Sequence, residues 1–213
     1  LTFQNPTPAQ YDYFGYAIVA VGNNVLIGAE GDDTGATNSG AAYLFDGTTG
    51  VLLHTFLNPT PESDDKFSGY GSVAAVGNNV LVGAVGDRTG AYNSGAAYLF
   101  DGTTGALLHT FLNPTPAYYD WFGRSVAGIG NNILVGAPLD DNAGFTDNGV
   151  VYLFDGTTGA LLHTFLNPTP AAKDRFGQSV AVAGNSVLVG ALMDDAGATD
   201  SGAVYLFDGI TGG

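Results

Sequence analysis

An all-β fold built from four repeated units is predicted by three features of the 213-residue sequence. The first is a phrase, Tyr-Leu-Phe-Asp-Gly-Thr-Thr-Gly-x-Leu-Leu-His-Thr-Phe-Leu-Asn-Pro-Thr-Pro. It runs from Tyr43 to Pro61, from Tyr98 to Pro116 and from Tyr152 to Pro170. A fourth copy is cut in two, with Tyr205 to Gly209 near the end of the chain and Thr2 to Pro8 at its beginning. The Asp-Gly pairs start at positions 46, 101, 155 and 208, in steps of 55, 54 and 53 residues, and a period of that size marks stacked supersecondary units. The second feature is punctuation: the 33 Gly recur mostly at fixed places in the repeat, beside 9 Pro, which suits short strands joined by tight turns. The third is that the runs between turns are nearly continuous in small and apolar residues, so each sheet is covered on both faces. Four-stranded antiparallel sheets stacked face to face around an axis meet that demand. The prediction is a β-propeller with four blades per chain, one domain over residues 1–213.

Each unit reads as four strands. In the first, Phe14 to Val21 forms the inner strand, and the other inner strands start near Phe67, Phe122 and Phe176. Gly22-Asn23-Asn24 turns the chain, because Gly and Asn tolerate positive φ, and Val25 to Ala29 returns as the second strand of a hairpin. Glu30 to Ser39 is a longer polar loop, and Ala41 to Phe45 is the third strand. Asp46-Gly47-Thr48-Thr49-Gly50 is a hairpin turn, Val51 to Leu57 is the outer strand, and Asn58-Pro59-Thr60-Pro61 stops it because Pro cannot donate to a ladder. The offset of the repeat leaves an orphan outer strand at Leu1 to Asn5 and a third strand at Ala203 to Phe207. Their pairing would complete the last blade and remove two open edges. Within one chain, the expected outcome, this closes a four-bladed ring; between two chains, by strand exchange, it would close an eight-bladed one. Unit two has two extra residues within Phe67-Ser68-Gly69-Tyr70-Gly71, which would bulge its inner strand.

The charge balance narrows the partners. With 20 acidic against 5 basic side chains the formal net charge is −15, which repels nucleic-acid backbones and anionic lipid and attracts cations. There is no Cys, hence neither disulfides nor thiol chemistry. No apolar run approaches the length of a membrane span and no signal peptide is present. The sequence starts at Leu1 without Met, which suggests that a leader or larger precursor was removed.

Phe14-Gly15, Phe122-Gly123-Arg124-Ser125-Val126-Ala127 and Phe176-Gly177-Gln178-Ser179-Val180-Ala181 resemble the start of an FG-GAP repeat. Gly28-Ala29, Gly83-Ala84, Gly136-Ala137-Pro138 and Gly190-Ala191 resemble its second half, and Gly202 to Phe207 resembles the strand that follows. This is the blade motif of integrin α-subunit propellers and of many bacterial extracellular proteins. The resemblance covers all four units. It implies a Phe-Gly inner strand, an outer strand like Leu53 to Asn58, ring closure by an N-terminal outer strand, and a location outside the cell or at its surface. Two departures stand out. The position of the family's Asp-rich calcium loop holds only Gly-Asn-Asn or Gly-Asn-Ser, too short to wrap a cation, and the chain has four units where family propellers commonly have seven blades.

Candidate site residues follow from repeat position. His54, His109 and His163 occupy one outer-strand position on different blades and cannot form a catalytic pair, and no nucleophile stands beside a base, so no enzyme is expected. Two Asp sets share one face, because strand direction alternates: Asp12, Asp65, Asp120 and Asp174 before the inner-strand Phe, and Asp32-Asp33, Asp140-Asp141 and Asp194-Asp195 in the loop between strands two and three. Asp87-Arg88 stands at that second place in unit two. The paired carboxylates, with nearby carbonyl oxygens, offer hard ligands that suit calcium; the other reading is that they cap backbone N–H groups in Asx turns. The residues flanking the first set vary: Tyr11 and Tyr13; Asp64 and Lys66; Tyr119 and Trp121; Lys173 and Arg175. A constant framework with variable tips suits recognition, and Tyr and Trp could stack on sugar rings. The expected function is a non-enzymatic extracellular binding or adhesion module for glycan or protein. The alternative is a self-assembling structural component of a ring, filament or coat.

Overall fold

A computed structural model describes residues 1–213. The fold is all-β. Blade one contains β1 (Ala17–Val21), β2 (Asn24–Ala29), β3 (Ala41–Asp46) and β4 (Leu52–Leu57). Blade two contains β5 (Val73–Val76), β6 (Asn79–Ala84), β7 (Ala96–Phe100) and β8 (Leu107–Leu112); blade three contains β9 (Ser125–Ile129), β10 (Asn132–Ala137), β11 (Val150–Phe154) and β12 (Leu161–Leu166). Blade four has only β13 (Phe176–Ala183), β14 (Ser186–Ala191) and β15 (Ala203–Asp208). Each sheet is an antiparallel meander in sequence order, and the inner strands β1, β5, β9 and β13 neighbour one another in turn.

The apolar runs are explained by where the core lies: between blades, not within them. One cluster joins Leu26, Leu44 and Phe56 of blade one to Val80, Val82, Tyr98 and Phe100 of blade two, and two further clusters repeat this at the next two junctions. Burial on both faces follows, as the continuous patterning requires. The outer strand alternates instead: of β4 only Phe56 is buried, and its ring lies 5.0 Å from Phe100 of the next blade. At the far end of the same strands each His bridges blades through Nε2, His54 to the carbonyl of Thr103, His109 to that of Thr157 and His163 to that of Ile210.

Three details differ from the sequence expectation. Leu1 to Asn5 does not pair with Ala203 to Phe207, and the last sheet stays three-stranded. The N-terminal segment lies instead on blade one, with Phe3 5.3 Å from Phe45 and Leu1 against Gly50. The physical reason is that an outer strand packs on the following blade as well as on its own, and blade one is the only partner within reach. Second, β1, β5 and β9 begin three or more residues after their Phe, the chain first passing through Gly15, Gly71 and Gly123 at φ of +96°, +80° and +88°; β13 starts at Phe176 itself although Gly177 takes φ +87°, and absorbs the turn as a register shift between Phe176 and Ser179. Third, the extra residues of unit two form a 3-10 turn, Gly69–Gly71, not a bulge within the inner strand.

Candidate ligand-binding face

Both long connections of every blade emerge at one end. There, Asn-Pro-Thr-Pro delivers an Asn and a Thr from one outer strand into the next blade. In blade two, Asn58 Nδ2 donates to Asp65 at 2.7 Å and the backbone N–H of Glu62 donates to the same carboxylate oxygen at 2.6 Å. The Thr60 hydroxyl meets Tyr98 at 3.1 Å, and the Tyr98 hydroxyl donates to Asp87 at 2.5 Å. The same five residue types recur as Asn5, Thr7, Asp12, Asp32 and Tyr43 in blade one, with Tyr43 donating to Asp32 at 2.6 Å. They recur again around Asp120 and Asp140, and around Asp174 and Asp194.

The two Asp sets therefore meet, but not as the adjacent pairs suggested. Asp32, Asp140 and Asp194 turn inward and are buried, while Asp33, Asp141 and Asp195 stay exposed. The exposed members each accept a backbone N–H of their own loop, from Asn38, Asp147 and Asp200, at 2.7–2.8 Å. Each inward member accepts a Tyr hydroxyl and a Thr hydroxyl. No group of three or more His, Cys, Asp or Glu is arranged to hold a metal ion. In blade two Arg88 points away from Asp87, stacking over Tyr92 at 4.6 Å and reaching Glu62 at 3.6 Å.

Burial dominates the electrostatics of the inner carboxylates. It pushes Asp65 up to about 7 and Asp120 up to about 6, against backbone N–H bonds that pull down, and the facing Asp87 and Asp140 add to the rise. Asp65 Oδ1 is buried without a hydrogen-bond partner. At Asp32 burial also pushes upward, but hydrogen bonds from Thr34, Tyr43 and Thr7 outweigh it and hold the carboxyl below its usual range. Burial raises the phenols of Tyr43, Tyr98 and Tyr152, which remain donors.

The variable residues flanking the buried Asp share a backbone feature that the sequence does not announce. Tyr11, Tyr13, Asp64, Lys66, Tyr119, Trp121, Lys173 and Arg175 all have φ between +53° and +73°. Left-handed backbone is uncommon for bulky residues and costs about 1 kcal/mol or more each. Here it is compensated, because it aims N–H groups at the preceding blade: Asp64, Lys66 and Phe67 donate to the carbonyls of Thr37, Asn38 and Ser39. The side chains are left on the outside of the turn. Tyr11 and Tyr13 line a cleft of about 350 Å³ with Glu30 and Lys66, and Lys66, Tyr70, Tyr119 and Trp121 line a smaller one of about 120 Å³ at the next junction.

Tyr70 joins these elements. Trp121 stacks on its ring at 6.1 Å and 20°, the Arg124 guanidinium lies 4.8 Å from its centroid, and Tyr16 meets it edge-on at 6.5 Å. Glu30 accepts its backbone N–H at 3.2 Å and Arg124 donates to its carbonyl at 3.2 Å. Further out, Tyr92 stacks on Tyr118 and meets Tyr119 edge-on. Tyr16, Tyr70 and Arg124 were not among the residues singled out from the sequence. The available signal was the two-residue insertion that carries Tyr70. Lys173 and Arg175 stand apart from this cluster on blade four. All five basic side chains of the chain, Lys66, Arg88, Arg124, Lys173 and Arg175, lie at this end of the molecule.

A family model described as the FG-GAP repeat matches residues 7–45, 61–100, 115–154 and 168–207. Comparison with curated proteins gives no match. Among solved structures the chain is similar to the computationally designed Ika4 protein, at 18% identity and a TM-score of 0.57, over 94% of this chain and 93% of that one. It is also similar to the computationally designed Ika8 protein, at 19% identity and a TM-score of 0.52, over 91% of this chain and 45% of that one. The chain thus spans about half the length of Ika8, and at these identities the likeness concerns the fold alone.

Proposed function

We propose, on the premise that the chain belongs to the FG-GAP repeat family, that it is a non-catalytic binding module acting outside the cell or at its surface. Its ligand is a glycan, held on the loop face. The observation that carries this reading is the Tyr70–Trp121 stack with Arg124 packed on Tyr70. Flat aromatic faces pack against the C–H faces of a sugar ring at low entropic cost, because each has only two side-chain torsions to fix. Lys66, Arg124 and Glu30 surround the stack with groups able to hydrogen-bond hydroxyls or a carboxylate. Clefts at the first two junctions, lined by different side chains and sharing Lys66, suit an extended ligand that crosses both.

A glycan array followed by calorimetry tests the proposal. A selective, saturable saccharide is expected, with affinity falling by about 1–3 kcal/mol in Trp121→Ala and again in Tyr70→Ala. Both side chains are partly exposed, so the fold should survive by circular dichroism. Absence of any saccharide ligand, or binding indifferent to both substitutions, overturns it in favour of packing alone; capture of a protein ligand would move the recognition to protein.

A further inference from the structure

The three junctions between blades are built alike, and the two ends of the chain carry the unmatched halves of a fourth. At each internal junction three backbone N–H groups cross to the preceding blade. Asp64, Lys66 and Phe67 donate to Thr37, Asn38 and Ser39; Tyr119, Trp121 and Phe122 to Tyr92, Asn93 and Ser94; Lys173, Arg175 and Phe176 to Thr146, Asp147 and Asn148. The equivalent donors at the head are Tyr11, Tyr13 and Phe14, and the equivalent acceptors at the tail are Thr199, Asp200 and Ser201. None of these six groups makes a backbone hydrogen bond of this kind in the single chain.

Packing shows the same vacancy. Val204 and Leu206 of β15 are 70% and 66% exposed, whereas their equivalents Val151 and Leu153 are 0% and 1%. At the head, Ile18 is 64% exposed where its equivalent Val73 is 8%. A Cβ on Gly95 or Gly149 would stand 2.0 Å from the carbonyl oxygen of the next blade's Phe; on Gly202 it would meet only its own loop, at Leu192. The largest cavity, about 400 Å³, lies on this tail face, lined by Ser179, Gly190, Ala191, Gly202 and Ala203 among others. At the first junction the residues equivalent to Gly190 and Ala203 are Gly28 and Ala41, and there the next blade's Ser68 seats its hydroxyl against Gly28 and donates to the Ala41 carbonyl.

The N-terminal segment is already placed for the missing contact. Phe3 packs on Phe45 as Phe56 packs on Phe100, and Asn5 donates to Asp12 as Asn58 donates to Asp65. Leu1 to Asn5 therefore sits where the outer strand of a blade preceding blade one would sit, and lacks only the rest of that blade. Blade four lacks only its outer strand.

We propose that two copies of this chain associate head to tail, each lending residues 1–5 as the fourth strand of the other's last blade, to close a ring of eight blades. The register is set by β11 and β12, where Val150 faces Leu166 and Leu153 faces His163. Shifted to the ends, Ala203 faces Gln4, Val204 faces Phe3, Tyr205 faces Thr2 and Leu206 faces Leu1 of the other copy. The contact is heterologous, and such contacts end either in a closed ring or in an open filament. Closure by two is the smallest ring that pairs both ends once they do not pair within one chain. This inference stands apart from the ligand proposal, since its contacts run down the blade faces and not across the aromatic stack.

The chain has no Cys, so a disulfide trap is clean. Gln4→Cys with Ala203→Cys places two facing thiols across the new strand pair, within ~5 Å. Under mild oxidation the expected product is a covalent dimer and nothing larger. Unmodified protein should show a native mass of twice 21.7 kDa by light scattering at micromolar concentration. Val204→Asp with Leu206→Asp should reduce the mass to one chain with an unchanged circular dichroism spectrum. An internal disulfide in a monomer would show closure within one chain and overturn the proposal. A ladder of trimers and longer species would show an open filament and overturn the closed ring. A monomer without cross-linking would overturn both the register and the association.

Discussion

At the scale of single residues, the Asp pairs that meet across the loop face set the response to pH. Asp65 and Asp120 are pushed up to about 7 and about 6 by burial, aided by Asp87 and Asp140. The folded chain thus keeps protons that an unfolded carboxyl, near 4, has released. Such groups contribute stability that is fully present below about pH 4 and is lost as pH rises through 6 to 7. The hairpin carboxylates act oppositely: backbone N–H bonds from the two Thr that follow hold Asp46, Asp101 and Asp155 below their usual range, and their contribution is lost only in strong acid. Scanning calorimetry should find a melting temperature that is higher near pH 5 than near pH 8. Asp65→Asn keeps the shape without the ionisation, and should flatten the fall on the alkaline side. An unchanged slope would mean that Asp65 is ionised throughout. Asp32 to Asp195 were legible as turn-forming and clustered residues because their spacing recurs. That their buried partners would be Asp12, Asp120 and Asp174, and not the adjacent Asp, was not legible, because sequence adjacency places two side chains on opposite sides of a turn.

At the scale of elements, nearly every strand was readable. Continuous small and apolar runs, Gly-Asn and Asp-Gly turns and Asn-Pro-Thr-Pro stops left little choice of boundary, as β2, β3 and β4 show. The Phe-Gly pair was the exception. It looks like the start of an inner strand, yet Phe67, Phe122 and Phe176 act as wedges between blades, fully buried, and two of the strands begin later. What decides this is a close backbone approach that only Gly permits, and no local pattern encodes the partner of such an approach. Gly95→Ala tests it directly. Its Cβ would collide with the Phe122 carbonyl at 2.0 Å from a backbone already at φ +84°, and the cost should be about 2–4 kcal/mol. Gly202→Ala has a similar φ of +77° and no next blade, and its Cβ meets only the Leu192 carbonyl of its own loop, at 2.9 Å, so in dilute single chains the loss should be smaller, about 1–2 kcal/mol. Equal losses at the two sites, read from urea midpoints, would contradict the difference between a filled and an open junction. The outer strands give a milder case: His109→Ala removes a bond from an exposed strand to the Thr157 carbonyl and should cost about 1 kcal/mol.

At the scale of the whole molecule, the offset of the repeat was readable and its consequence was not. The split fourth copy announced that Leu1 to Asn5 and Ala203 to Phe207 are complementary, but complementarity does not say whether both belong to one chain. That depends on the angle between blades, which comes from how Phe56, Phe111 and Phe165 and the inner-strand Ala and Val fill each junction. A pairing of two chains then has to contend with charge. Each copy carries a net −15, so approach is opposed at long range, while the contact itself is apolar at Val204, Leu206 and Ile18 and hydrogen-bonded along β15. Screening weakens the opposing part within roughly 10 Å at about 0.1 M salt and leaves the short-range part in place. Association should therefore strengthen as sodium chloride rises from about 20 mM to about 500 mM, the reverse of an interface held by ion pairs. Because the dimer is favoured by mass action, the melting temperature should also climb with protein concentration, more steeply at high salt, where the dimer is more fully formed. Val204→Asp with Leu206→Asp should abolish both trends. Sedimentation equilibrium across the salt series, with melting curves at each concentration, measures them. A melting temperature indifferent to concentration at every salt level would place closure, if any, within the single chain.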